Sequence, residues 1–194
     1  MLADLKAGNA RFLAGTPESP RRRPEDFSPL AGGQFPEAAV IACSDSRVPP
    51  EILFDQGVGD LFVIRVAGNV VGGSGAVVKG SVEYAVAELK VPLVVVLGHS
   101  QCGAVKAAVE HIDQRDSLPG SINDLVELIK PAVEEVRGKP GDKLSNAIRA
   151  NVELGVERLK GLQPILAGPV AAGKLTVVGA TYDLASGRVE WFDA

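Results

Sequence analysis

Two short segments of this chain hold the residue types that do metal chemistry: Cys43-Ser44-Asp45-Ser46-Arg47 and His99-Ser100-Gln101-Cys102. Together they offer two thiols, an imidazole and an acid–base pair, each segment directly following an apolar run. Two Cys and one His leave one position of a tetrahedral Zn²⁺ exchangeable, the pattern of a catalytic site. Cys102 follows His99 by three residues, so a loop running into a helix that starts near Gly103 can aim both at one point. The N-terminal dipole of that helix favours a thiolate there. Taken singly, each is more simply a buried structural cysteine or a satisfied core histidine. Together at strand ends, beside Asp45 and Arg47, they read as the ligands Cys43, His99 and Cys102 of a metal-dependent hydrolytic or hydration enzyme.

Zinc held by two thiolates and a neutral imidazole is near zero in net charge. It therefore acidifies water less than a site built from neutral ligands alone. A neighbouring carboxylate can orient that water, and an Arg clamped to it keeps it ionised and off the metal. Asp45 and Arg47 fit these catalytic roles, and Asp45 is also placed to act as an exchangeable fourth ligand. The plainer reading is a surface ion pair, which contributes little.

Three other motifs compete. Gly98-His99-Ser100-Gln101 begins like a nucleophile elbow, but the fifth position is Cys102 and the only later histidine is His111. Cys43 with Arg47 suggests a phosphatase cradle, yet Ser-Asp-Ser is too short and lacks glycine. The stretch Gly72-Gly73-Ser74-Gly75 through Gly80-Ser81 lacks the Lys of a phosphate loop, and it reads as a tight turn into a helix.

Four apolar runs must position these loops: Ala38–Ala42, Leu61–Val66, Leu93–Gly98 and Leu175–Ala180. They are short, rich in Val, Ile and Leu, and do not alternate, as buried parallel strands require. Val189–Phe192 follows a turn at Ala185-Ser186-Gly187 and reads as an antiparallel edge strand. Helical stripes lie between: Leu2, Leu5 and Phe12; Val78, Val82, Ala85, Val86 and Leu89; Ile122, Leu125, Val126 and Ile129, stopped by Pro131; and Ile148, Val152, Val156 and Leu159. The fold class is α/β, an open sheet flanked by helices. Placing the first and third strands side by side, in the order 2-1-3-4, brings both chemical loops to one crevice at a switch point.

The chain has 194 residues, 46% of them hydrophobic and 23% charged, which suits one domain over residues 1–194, with 1–35 as an N-terminal helix and arm. The apolar-faced helix precedes a long Pro-rich segment and so can reach across to a neighbouring copy. A net charge of −4 and a pI near 5.3 argue against a nucleic-acid partner. The run Arg21-Arg22-Arg23 reads as a solvated loop, with anion binding as the alternative. Val91 to Gly98, the longest apolar run, is far below the ~18 residues of a membrane span. Asp4 and Lys6 interrupt any secretory pattern, so a cytoplasmic location is expected, where two cysteines serve better as ligands than as a disulfide.

Cys43-Ser44-Asp45-Ser46-Arg47-Val48-Pro49 and Gly98-His99-Ser100-Gln101-Cys102-Gly103-Ala104 resemble the paired signatures of the β-class carbonic anhydrases. The likeness extends through Gly59–Val63, Arg65, Ser81–Ala85 and Tyr182–Leu184, with Gly8-Asn9 and Arg11-Phe12 in the first helix. The resemblance implies Zn²⁺, reversible hydration of CO2 to bicarbonate and a proton, and a homodimer or dimer-based oligomer with the site at the interface. It makes Cys43, His99 and Cys102 the zinc ligands and Asp45–Arg47 the dyad. Gln34, Phe62, Ala67, Tyr84 and Gly103 become the substrate-binding set, with Gln34 as hydrogen-bond donor. Val40 replaces the Trp with which one subtype forms an inhibitory bicarbonate site, which speaks against that regulation. Ala67 is smaller than the aliphatic residue of many relatives, and Val66 replaces an Asn. A COS or CS2 hydrolase of the same family, and a zinc-stabilised binding module without turnover, are the alternatives. His111 is either a proton carrier or a solvated helix end.

Overall fold

The computed structural model describes residues 1–72, 76–112 and 118–192. The apolar runs form β1 (Ala38–Ala42), β2 (Leu61–Arg65), β3 (Leu93–His99) and β4 (Thr176–Tyr182), and Val189–Phe192 forms β5. Their order in the sheet is β2-β1-β3-β4-β5. β1 runs parallel to β2 and β3, β3 runs parallel to β4, and β5 alone is antiparallel. This is the expected 2-1-3-4 core with its edge strand. Every residue of β1 and β3 is buried, because helices cover both faces, and that is why neither strand alternates.

One face packs Ile41, Val94 and Val96 against α3 (Ala76–Ala87) and α6 (Lys143–Lys160). The other packs Val40, Val95 and Leu97 against Leu5 of α1 (Leu2–Ala14) and Leu53 of α2 (Pro50–Leu53). Beyond the carboxyl ends, α4 (Gly103–Glu110) and α5 (Ser121–Glu135) close a third cluster around Cys43 and Cys102. A short α7 (Ala167–Ala171) leads into β4.

Three expectations need correction. Pro131 does not stop its helix, since α5 continues to Glu135. Pro131 and Glu127 both lie on the exposed side, so the carbonyl deprived of its N–H partner sits at the solvated face. Ala132 and Val133 beyond it remain buried and carry the apolar face onward, whereas Ile122 is exposed. Secondly, α1 lies on its own chain. Asn9 donates to the Leu53 and Gly187 carbonyls and accepts from Val189 N–H, and a Cβ at Gly8 would meet the Phe54 carbonyl oxygen at 1.8 Å. Thirdly, the basic run fastens the arm instead of being merely solvated. Arg21 pairs with Asp60, and Arg22 donates to the Gln56 and Glu51 carbonyls. The tight-turn reading of Gly73-Ser74-Gly75 lies outside the described residues. Among the described residues, no helix is long and apolar enough to cross a membrane.

Candidate metal centre and active site

β1 ends at Ala42 and β3 at His99, and the pairing of Ala42 with Leu97 puts the two following loops side by side. The ligand atoms of Cys43, His99 and Cys102 all lie within 4.8 Å of one another, and all three residues are buried. Ligands of a tetrahedral zinc stand about 3.5–3.8 Å apart, so the cluster is of the right size.

His99 is wholly buried. Its Nδ1 is 2.9 Å from the Ser100 carbonyl, which can only accept, so Nδ1 carries the proton. Nε2 is then a bare lone pair, and among the described residues it has no hydrogen-bond partner. A buried acceptor left unpaired is costly unless a cation uses it. Zinc fits this donor set: two soft sulfurs, one imidazole nitrogen and an orphaned lone pair.

The two sulfurs differ. A hydrogen bond from Cys102 lowers the Cys43 thiol against its burial, and His99 and the Gly68 N–H add to the effect. Cys102 is pushed up, because it donates to Cys43 and is itself desolvated. The pair therefore shares one proton at the place where a dication would draw off both. Gly68 N–H lies 3.2 Å from Cys43 Sγ.

Arg47 clamps Asp45 through two parallel bonds, Nε to Oδ1 at 2.9 Å and a terminal nitrogen to Oδ2 at 2.7 Å, and its own backbone N–H adds a third at 2.9 Å. The guanidinium holds the Asp45 carboxyl well below the usual carboxylate range, outweighing partial burial. Asp45 Oδ2 lies 3.9 Å from His99 Nε2, next to the ligands yet turned to Arg47. Arg65 donates to the Cys43 carbonyl at 3.2 and 3.1 Å and to the Asp45 carbonyl at 2.5 Å, pinning the loop from β2.

The structure thus gathers Cys43, His99, Cys102, Asp45 and Arg47 in one crevice, with Ala67 in the turn that approaches Cys43 and Gly103 opening α4. It does not bring Gln34, Phe62 and Tyr84 there. Gln34 and Tyr84 line a groove of about 780 Å³ with Leu30, Gly33 and Phe35. The Phe62 ring lies 6.1 Å from that of Tyr84, and Phe62 pairs with Ala39, three residues before the end of β1. Four residues of strand separate Ala39 from Cys43, which places Phe62 about 13 Å below the ligands. Sequence reading also missed Gly68 and Asn151, whose amide bonds the Gly68 carbonyl at 2.8 Å. A buried Asn on the apolar face of α6 was the available signal.

The family model described as carbonic anhydrase matches residues 38–189. A carbonic anhydrase of Mycolicibacterium smegmatis is 45% identical over 186 residues, spanning 96% of this chain and 89% of that protein. Carbonic anhydrase 2 of Mycobacterium tuberculosis is 42% identical over 184 residues, 95% and 87% of the two chains. Among solved structures, one of two tetrameric β-carbonic anhydrases of Sordaria macrospora superposes with a TM-score of 0.78 at 31% identity, over 89% of this chain and 88% of that one. Sheet order, ligand cluster and similarity along almost the whole length agree: the chain belongs to the β-class carbonic anhydrases.

Proposed function

We propose that this chain reversibly hydrates CO2 to bicarbonate and a proton at a zinc held by Cys43, His99 and Cys102, with Asp45 and Arg47 as its working pair. The observation that carries this is the buried, unpartnered His99 Nε2 facing two thiols, with a clamped carboxylate 3.9 Å away. Zinc, when bound there, supplies a Lewis acid that makes water a nucleophile near neutral pH. Asp45 accepts a hydrogen bond from the attacking water and orients it. Arg47 keeps that carboxylate ionised and holds it away from the ligands. Asp45 is also the nearest spare oxygen donor, and released from Arg47 it is placed to take the fourth metal position and close the site. A structural zinc alone needs neither residue.

Gln34, Phe62 and Tyr84 reach an active site only if a second copy provides it, so we assign the working unit as a homodimer or a dimer-based oligomer. Exposure supports this: Phe35 is 85% and Tyr84 48% accessible in the single chain. An apolar patch of this kind marks an interaction surface. In that arrangement the Gln34 amide donates to the substrate oxygen, and Phe62, Tyr84 and Ala67 supply apolar walls suited to CO2. Gly103 borders the same cavity, and two ligand thiols suit a reducing, cytoplasmic setting.

The test is CO2 hydration followed by pH-indicator stopped flow on protein of measured zinc content, with COS hydrolysis run on the same sample. Turnover of CO2 that scales with bound zinc is expected. Turnover of COS alone assigns the sulfur substrates, and zinc without either turnover assigns a binding module.

A further inference from the structure

Among the described residues, Cys43 is the ligand whose sulfur receives a backbone N–H from a distant segment, and that N–H belongs to Gly68. Gly68 sits in the turn 67–69 with φ 71° and ψ 15°, in the left-handed region. A side chain is excluded twice over: by that φ, and because a Cβ would lie 2.9 Å from Ile129 Cδ1 and 3.1 Å from Ala104 Cβ. A glycine, however, cannot hold its own conformation. Its N–H and carbonyl planes are joined through φ and ψ at one Cα without a side chain to favour any pairing, so a bond from outside that fixes the carbonyl plane narrows the directions open to the N–H.

Asn151 does this. It lies on α6, buried to 4%, and its amide donates to the Gly68 carbonyl at 2.8 Å. Two turns further along the same face, Arg158 donates to the Val71 carbonyl at 2.7 Å. Helix α6 therefore grips both ends of the segment 68–71, and its grip at residue 68 lies one residue's backbone away from the Cys43 sulfur. We propose that Asn151 is a positioning residue of the metal centre: by fixing the Gly68 carbonyl it aims the Gly68 N–H at Cys43 Sγ, and so limits the negative charge that this thiolate donates to a bound metal. A metal with less thiolate charge on it is the stronger Lewis acid. Asn151 touches neither substrate nor metal. Outer partners of this kind typically change metal affinity or activity by about 10–100-fold. The inference rests on Cys43 being a ligand.

The test compares Asn151→Leu, similar in size and without a donor, with Val152→Ala, which loosens the same helix without touching Gly68. Both are loaded with Co²⁺, and the thiolate-to-cobalt charge-transfer band is recorded beside zinc affinity, kcat and KM. Asn151→Leu is expected to move the band to longer wavelength, because a sulfur without its N–H gives up charge more easily. It should lower kcat about tenfold, with KM changed less than about twofold, while zinc binding does not weaken, because the freed thiolate is the stronger donor. Val152→Ala should leave the band in place. If Asn151→Leu does not fold, Asn151→Ser, too short to reach the carbonyl, carries the same comparison. A band in the Asn151 variant that matches Val152→Ala overturns the proposal. Absence of any charge-transfer band from the unsubstituted protein instead removes Cys43 as a ligand, a separate failure.

Discussion

At the carboxyl ends of β1 and β3, one chain supplies nearly every group and every group's partner. Asp45 has Arg47, the Cys43 loop has Arg65, Cys43 has Gly68, and His99 Nε2, without a hydrogen-bond partner among the described residues, faces two thiols. In the groove beside α3 the reverse holds. Phe35 and Tyr84 are exposed, and Gln34 lines a groove of about 780 Å³ away from the ligand cluster. The first region is pre-organised by the fold, with side chains locked by buried neighbours. The second is exposed apolar surface, which the proposed second copy would cover. A metal site needs ligands fixed to fractions of an ångström, which one rigid sheet provides. A small, weakly polar substrate needs walls, and walls can come from elsewhere.

Breaking the first region should have the largest effect. Cys102→Ala removes a ligand, and chelator-washed protein analysed for zinc should be empty. The Lewis acid contributes several kcal/mol of barrier lowering, at 1.36 kcal/mol per tenfold, so turnover should fall by about 1,000-fold or more. Stoichiometric zinc in this variant would mean that the cluster is not the metal site.

That half was readable because its signals are local. Cys and His at the ends of non-alternating apolar runs need only the parallel-sheet rule to converge, and β1 and β3 occur almost where those runs lie. Pro131 misled because the rule that proline stops helices assumes that the lost bond matters. Here the freed carbonyl lies on the wet face while Ala132 and Val133 continue the packing. The contact between Gly68 and Asn151 was not readable, since it joins residues 83 apart through one carbonyl and an Asn on an apolar stripe does not name its partner. The separation of Phe62 and Tyr84 from the ligands needed the strand register, since the resemblance assigned them to the pocket without saying to which copy's.

The Asp45–Arg47 clamp comes next in size. The guanidinium lowers the Asp45 carboxyl below its ordinary range, so the ionised, clamped form persists at every pH above that range and is lost only as pH falls through the depressed value. Between pH 6.5 and 9 the clamp is therefore constant, and any rise of activity in that window comes from the water and not from Asp45. Arg47→Ala leaves the carboxylate ionised but loose beside the ligands. We expect kcat to fall roughly 100-fold with zinc retained. The loss should be worse at pH 6.5 than at pH 9, because a loose carboxylate competes less well as hydroxide becomes available. Asp45→Asn should lower kcat about 10–100-fold at all these pH values, without altering zinc content. Wild-type turnover by Arg47→Ala across the range would reduce the pair to a structural contact.

The smallest effect is the one that separates the two regions most cleanly. If the groove of one copy serves the ligand cluster of another, a chain lacking a ligand and a chain lacking the groove donor should rescue each other. Cys102→Ala and Gln34→Ala are each expected to be poor enzymes alone. Co-expressed with different tags and purified as the mixed dimer, they form two unlike sites. One combines intact ligands from the Gln34→Ala chain with the intact groove of the Cys102→Ala chain, and the other has both defects. Two-fold symmetry then predicts about half the wild-type turnover per dimer. If each chain used its own groove, both sites of the mixed dimer would be defective and no recovery would appear. The readout is a ratio within one preparation, so a modest difference in folding between the two variants does not imitate it. Recovery requires the groove and the ligands to meet across the interface, because neither chain alone carries an intact set.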